Sequence, residues 1–161
     1  MRRVAWLAAY VASIVAANWM TATFGLVPIG LGLAVTAGTF AAGFALVGRD
    51  GVQVTSGKAW ALAAIVAGSV LSAITSSPAL ALASGLAFLV SELVDFAVFT
   101  PLRSRSLPTA VVVSSVVSAP VDTVLFLHLA GFGVTWQAVL GQFIVKTAIA
   151  LVAAAWIARR K

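Results

Sequence analysis

Apolar residues run along this chain in long blocks, and polar residues gather in short breaks between them. A helix needs about 20 mostly apolar residues to cross the hydrocarbon of a bilayer. Six blocks meet that need: residues 4–20, 24–47, 59–75, 79–100, 107–129 and 135–158. Most breaks carry turn chemistry. They are Gly48-Arg49-Asp50-Gly51 on to Gly57, then Ser76-Ser77-Pro78, the stretch from Pro101 to Pro108, and Gly131-Phe132-Gly133. The blocks are too long, and too rich in Ala and Leu, for β-strands. The pattern therefore predicts an all-α fold, an integral membrane bundle of six transmembrane helices, with residues 1–161 as one domain.

Composition agrees with a membrane-embedded chain. Hydrophobic residues make up 62% and charged residues 9%, with a mean hydropathy of +1.13. A soluble domain is about half apolar and about a quarter charged. So few polar side chains cannot cover the surface of a water-soluble enzyme. The chain has no cysteine and one histidine, which leaves no ligands for a thiolate zinc site, an iron–sulfur cluster or a haem. No nucleophile elbow, phosphate-binding glycine loop or HExxH motif is present. A non-enzyme without cofactor or metal is expected.

The positions of the charges predict an orientation. Ten Lys and Arg against four Asp and Glu give a net charge of +6. Arg2, Arg3, Arg49, Lys58, Arg103, Arg105, Arg159, Arg160 and Lys161 fall in alternate connections and at the ends, on one predicted side. Lys and Arg collect on the cytoplasmic side of membrane proteins. Both termini are then expected in the cytoplasm, as an even number of spans requires. This placement accounts for the positive surplus without a nucleic-acid partner. Arg2, Arg3 and the apolar run up to Ala16-Ala17-Asn18 also resemble a signal peptide, but the run is long for one. The five tryptophans, Trp6, Trp19, Trp60, Trp136 and Trp156, all fall near predicted span ends, where an interfacial belt is expected.

Ionisable groups inside a membrane are costly and are functional candidates by default. Lys146 lies near the middle of span six, Glu92 and Asp95 in span four, and Asp122 in span five. Asn18 lies toward the end of span one and His128 toward the end of span five. Glu92 and Asp95 are three apart and share a helix face, with Phe88 and Phe99 extending the same stripe. On span five, Ser115, Ser118, Ala119, Asp122 and Phe126 form a small-and-polar face beside Pro120. On span six, Gln142 and Lys146 are four apart. These faces are expected to converge on one buried polar site for a small solute. Three intramembrane carboxylates against one ammonium leave at least one acid without a fixed cation. Ala8, Ala12 and Ala16 recur every four positions, spacing that permits close helix contact, within the bundle or with a partner.

Several of these residues fall in recognisable order. Ser91-Glu92-Leu93-Val94-Asp95, followed by Phe99 and Arg103, resembles the signature of the queuosine precursor transporter family, also called VUT, the vitamin uptake transporter-like membrane proteins. Asp122-Thr123-Val124-Leu125-Phe126 leading into Ala130-Gly131-Phe132-Gly133 is similar to the same family. So are Asn18, Pro28-Ile29-Gly30 and Arg49-Asp50. The resemblance implies import of a 7-deazaguanine precursor, such as 7-cyano-7-deazaguanine, across the inner membrane. The residues fit that solute. One carboxylate, Glu92 or Asp122, can accept the adjacent N–H and NH₂ of a guanine-like edge. Phe88, Phe99 or Phe126 can stack on the flat base. Asn18 or Gln142 can read its remaining positions. Asp95 and Lys146 would orient the acceptor or carry a proton. The family also resembles the substrate-binding subunits of energy-coupling factor transporters, which dock a partner through small residues on the first helix. That gives an alternative expectation, a vitamin-binding subunit that meets an energy-coupling partner, or a second copy, through Ala8, Ala12 and Ala16.

Overall fold

The computed structural model describes residues 2–78 and 80–159, with no side chain for Arg2. Ala79, the expected start of the fourth span, and Arg160 and Lys161 of the basic terminus lie outside the described residues. Among the described residues the chain forms six helices and one hairpin: α1 Arg2–Phe24, β1 Leu26–Gly30, β2 Leu33–Thr36, α2 Thr39–Ser56, α3 Lys58–Thr75, α4 Ala81–Leu102, α5 Leu107–Leu129 and α6 Trp136–Ala158. Five of them, α1, α3, α4, α5 and α6, are long and apolar enough to cross a membrane. Helices α5 and α6 start where polar side chains take up a free N–H group of the first turn. Ser106 Oγ accepts from Thr109 N at 3.4 Å, and Thr135 Oγ1 accepts from Ala138 N at 3.3 Å.

The second span is where expectation and structure part. Residues 24–47 do not form one helix. Phe24 closes α1, and the next stretch folds into an antiparallel hairpin that pairs Leu26 with Thr36 and Pro28 with Ala34. Its turn needs left-handed backbone, with Gly30 at φ 92°, Leu31 at φ 53° and Gly32 at φ 73°. Glycine adopts such angles without a steric cost, and Val27, Ile29 and Val35 favour strand. A hydropathy count sees these residues only as apolar. The predicted break at 48–57 is also overturned, because α2 runs through it to Ser56. Gly48 and Gly51 are not turn residues here. They let α1 come close: an added Cβ at Gly48 would stand 3.3 Å from Tyr10 Cα, and one at Gly51 would overlap the Trp6 ring.

The helices form a ring in the order α1, α3, α4, α5, α6, α2, with α2 closing it between α6 and α1 and also touching α3. The hairpin sits beside the N-terminal part of α6. Gly141 is the seat, since a Cβ there would stand 2.6 Å from Ala34 O. One end of the ring gathers basic residues. Arg3 Nε donates to Thr55 O at 3.1 Å, and Arg103 Nη1 donates to Gln53 O at 2.9 Å. Trp6 and Trp156 line a common cavity at this end. The hairpin and the connections near Ser76 and Gly131 lie at the other end.

Interior packing relies on small residues. Ala61, Ala83, Ala87, Ala110, Ala119, Ala138 and Ala150 are buried, whereas Val66, Ile74, Leu82, Leu151 and Val152 point outward. In lipid there is little hydrophobic drive between helices, so small residues that permit close backbone approach hold the interfaces together. Two apolar clusters result. Tyr10, Ile14, Ala45, Val52 and Ala64 join α1, α2 and α3. Phe99, Ala110, Val111 and Ala150 join α4, α5 and α6. Ala8 and Ala12 belong to neither; both lie on the exposed face of α1.

Candidate functional site

The polar residues of the interior divide into two centres rather than one. The first is a pocket toward the hairpin end. Asn18 of α1, Thr36 and Thr39 around the start of α2, Ser72 of α3, Phe88 of α4, Asp122 and Phe126 of α5, and Gln142 and Lys146 of α6 line it. Six of the nine residues expected at the site thus meet here: Asn18, Phe88, Asp122, Phe126, Gln142 and Lys146. The pocket is narrow, with about 60 Å³ of water-accessible space. That holds a few waters, so a larger solute enters only with a shift of the lining.

Each polar group in the pocket has a distinct state. Lys146 Nζ donates to Asp122 Oδ2 at 2.6 Å and to Thr123 Oγ1 at 3.0 Å. Ser91 Oγ donates to Asp122 Oδ1 at 3.1 Å. The Asp122 side chain keeps 19% exposure, so its carboxylate still faces open space. Each of its oxygens has a second acceptor position. Gln142 is 2% exposed, and its Nε2 has no partner although it lines the pocket. A buried donor without an acceptor costs about 1–3 kcal/mol, a penalty that an arriving acceptor removes. Asn18 Nδ2 is occupied, donating to Ser72 O at 2.8 Å and Thr75 Oγ1 at 2.8 Å, which ties α1 to α3. The Phe88 and Phe126 rings supply the apolar walls, and Phe126 packs on Phe132 with centroids 6.0 Å apart.

The second centre lies deeper toward the basic end and contains the other three expected residues, Glu92, Asp95 and Phe99. Its hub is Arg49, wholly buried on α2. Arg49 Nε donates to Glu92 Oε2 at 3.0 Å, Nη1 to Gln53 Oε1 at 2.8 Å, and Nη2 to Asp95 Oδ2. Asp50 Oδ1 stands 3.0 Å from Nη1, without hydrogen-bond geometry. The guanidinium also lies over the Phe99 ring, 5.4 Å from its centroid, and 6.0 Å from that of Phe96. Gln53 Nε2 completes the set by donating to Thr100 Oγ1 at 2.9 Å. A planar fork is suited to holding several carboxylates at once in a dry site. Glu92, Asp95 and Phe99 therefore stand around Arg49 and do not line the pocket.

Arg49 had been expected in a cytoplasmic connection, and the structure corrects that placement. The same correction changes the charge count, because among the described residues the interior holds two cations, not one. Asp50, Gln53 and Tyr10 also join the interior unexpectedly. One signal for them is present in the chain. Arg49 and Gln53 are four apart, and intramembrane acids in excess of Lys146 call for a second cation. His128 is exposed near the end of α5 and joins neither centre. Among the described residues no group of acids and histidine has metal-holding geometry.

A multi-pass helical bundle whose polar pocket is lined by side chains from every helix is compatible with a membrane transporter. The chain matches the family described as "Putative vitamin uptake transporter" over residues 2–159. It belongs to that family of vitamin-uptake-type transporters. No curated protein and no solved structure matches the chain.

Proposed function

We propose that the chain imports a small, planar, nitrogen-rich solute, a 7-deazaguanine queuosine precursor such as 7-cyano-7-deazaguanine, across the inner membrane. The observation that carries this reading is the pairing of a part-open Asp122 carboxylate with an unpartnered Gln142 amide in one pocket, between Phe88 and Phe126. A guanine-like edge presents two adjacent donors, which one carboxylate accepts. Its carbonyl is an acceptor for Gln142 Nε2. Its flat face matches the two rings. Of the two acids first considered, Asp122 is the base-edge acceptor, because Glu92 is engaged by Arg49. Lys146 holds Asp122 in position and keeps its charge compensated before the solute arrives. The basic end of the ring faces the cytoplasm, since Arg3, Arg103 and the start of α3 at Lys58 gather there.

Binding to purified protein tests this reading. 7-Cyano-7-deazaguanine binds, thiamin, biotin and riboflavin do not, and Asp122→Asn removes binding while the protein remains folded. Selective binding of one of those vitamins, with none of the base, contradicts it.

A second reading has its own support. Ala8 and Ala12 are exposed on the outer face of α1 and so do not serve packing inside the bundle. In this reading the chain is the solute-binding subunit of an energy-coupling factor assembly, docked through Ala8, Ala12 and Ala16. Affinity purification with recovery of an ATPase partner favours it. Uptake by this chain alone in liposomes excludes it.

A further inference from the structure

We propose that the Arg49 cluster is a proton-binding site, with Asp50 exchanging its proton with the cavity at the basic end, and that it couples solute movement to proton movement. The coupling half of this proposal rests on the transport reading above; the proton-binding half does not.

The charges in the cluster do not balance. Asp50, Glu92 and Asp95 surround one guanidinium, and all four residues are at most 2% exposed. The other interior cation, Lys146, is held by Asp122. With every acid ionised the cluster carries three negative charges against one positive. Buried charge without a counter-charge is strongly disfavoured, and a carboxylate relieves it by taking a proton. The hydrogen bonds point the same way. Glu92 Oε1 and both oxygens of Asp50 are buried with no hydrogen-bond partner, and Asp95 Oδ1 has only the Ser114 and Ser118 hydroxyls nearby. A proton on such an oxygen removes the charge and supplies the missing hydrogen.

Among the described residues no other cation is ion-paired with these acids, since Arg103 Nη1 and Arg3 Nε donate to the backbone carbonyls of Gln53 and Thr55. From α1 comes the Tyr10 hydroxyl, buried and without a partner. From α2 come Arg49, Asp50 and Gln53; from α4, Glu92, Asp95 and Thr100; from α5, Ser114 and Ser118 beside Asp95, and Asp122 toward Glu92. From α6 comes Lys146. The charged side chain of α3, Lys58, is exposed at its first residue.

Access is built on both sides. Asp50 lines a cavity of about 720 Å³ at the basic end, together with Trp6, Thr55, Leu107 and Trp156. In the other direction Ser91, the chain neighbour of Glu92, donates to Asp122 at the solute pocket. The cluster therefore separates the pocket from the inner cavity. The proton step balances simply: the Asp50 O–H bond breaks to water in the cavity, or forms from it, and no electrons move. A solute on Asp122 takes the second acceptor position of the oxygen that Ser91 uses, which links occupancy of the pocket to the geometry beside Glu92.

Two measurements test this. Infrared spectra of the purified protein at neutral pH, recorded in H₂O and D₂O, are expected to contain the carbonyl stretch of a protonated carboxylic acid. The band is weakened in Asp50→Asn and unchanged in Asp122→Asn. In proteoliposomes, Asp50→Asn is expected to keep counterflow of 7-cyano-7-deazaguanine and to lose accumulation driven by a pH gradient. A wild-type protein without the band at neutral pH overturns the proton site, with or without a folded variant. The band together with accumulation that ignores the pH gradient overturns the coupling. Failure of wild-type counterflow with this base, with the band present, counts against the solute assignment and leaves the proton site standing.

Discussion

The pocket and the Arg49 cluster are both buried, both polar and built partly from the same face of α4, yet they are finished differently. In the pocket each charge has a partner, and what is left over is a neutral donor, Gln142 Nε2, beside open space. In the cluster each nitrogen of one guanidinium already donates, and what is left over is negative charge among buried side chains. Unused neutral groups beside a void suit a polar solute. Unused carboxylate oxygens suit a proton, and Asp50 lies where it can exchange one with the cavity at the basic end. The helix stripe Phe88, Glu92, Asp95 and Phe99 passes through both, with Phe88 on the pocket and the rest around Arg49.

Substitutions can break this contrast from either side. The largest effect is expected at Arg49. Removing one partner of a buried ion pair costs about 3–5 kcal/mol, and Arg49 meets three acids. Arg49→Met should abolish recovery of folded, monodisperse protein from the membrane. Arg49→Lys should fall between, since it keeps the charge and loses the fork.

Asp122→Asn comes next. It should abolish solute binding and lower the melting temperature less than any Arg49 variant, because Asp122 is part-exposed and Lys146 keeps its bond to Thr123. The two buried glutamines provide a sharper contrast. Gln142→Leu should weaken binding about tenfold, the equivalent of one hydrogen bond of about 1.4 kcal/mol, with an unchanged melting temperature. Gln53→Leu should do the reverse, since it breaks contacts to Arg49 and Thr100 and touches no pocket residue. An effect on the fold without contact to the pocket's polar groups is expected at Gly141→Ala, where the added methyl meets Ala34 O and pushes the hairpin from its seat. Overpacking of this kind costs about 1–3 kcal/mol, read as a modest fall in melting temperature.

How far the chain could be read ahead of its structure follows the same division. Helices α1, α3, α4, α5 and α6 are long apolar runs, and length alone marks them. Their faces follow from helical spacing, so Asp122 with Phe126 and Gln142 with Lys146 fall where the spacing places them. Residues 24–57 fail because hydropathy carries no conformational information. Gly25, Gly30 and Gly32 form a hairpin with positive φ, whereas Gly48 and Gly51 are helical contacts, and the same residue type serves both ends. The misread helix end took Arg49 out of the interior. Glu92 and Asp95 then looked available to a solute, although their partner stood in the chain all along.

The central claim is that the pocket, not the acid cluster, receives the solute. Titration calorimetry of 7-cyano-7-deazaguanine into the purified wild-type, Gln142→Leu and Gln53→Leu proteins tests it most directly. Weakened binding is expected in Gln142→Leu and wild-type affinity in Gln53→Leu. Wild-type affinity in Gln142→Leu, with binding lost in a folded Gln53→Leu protein, contradicts it.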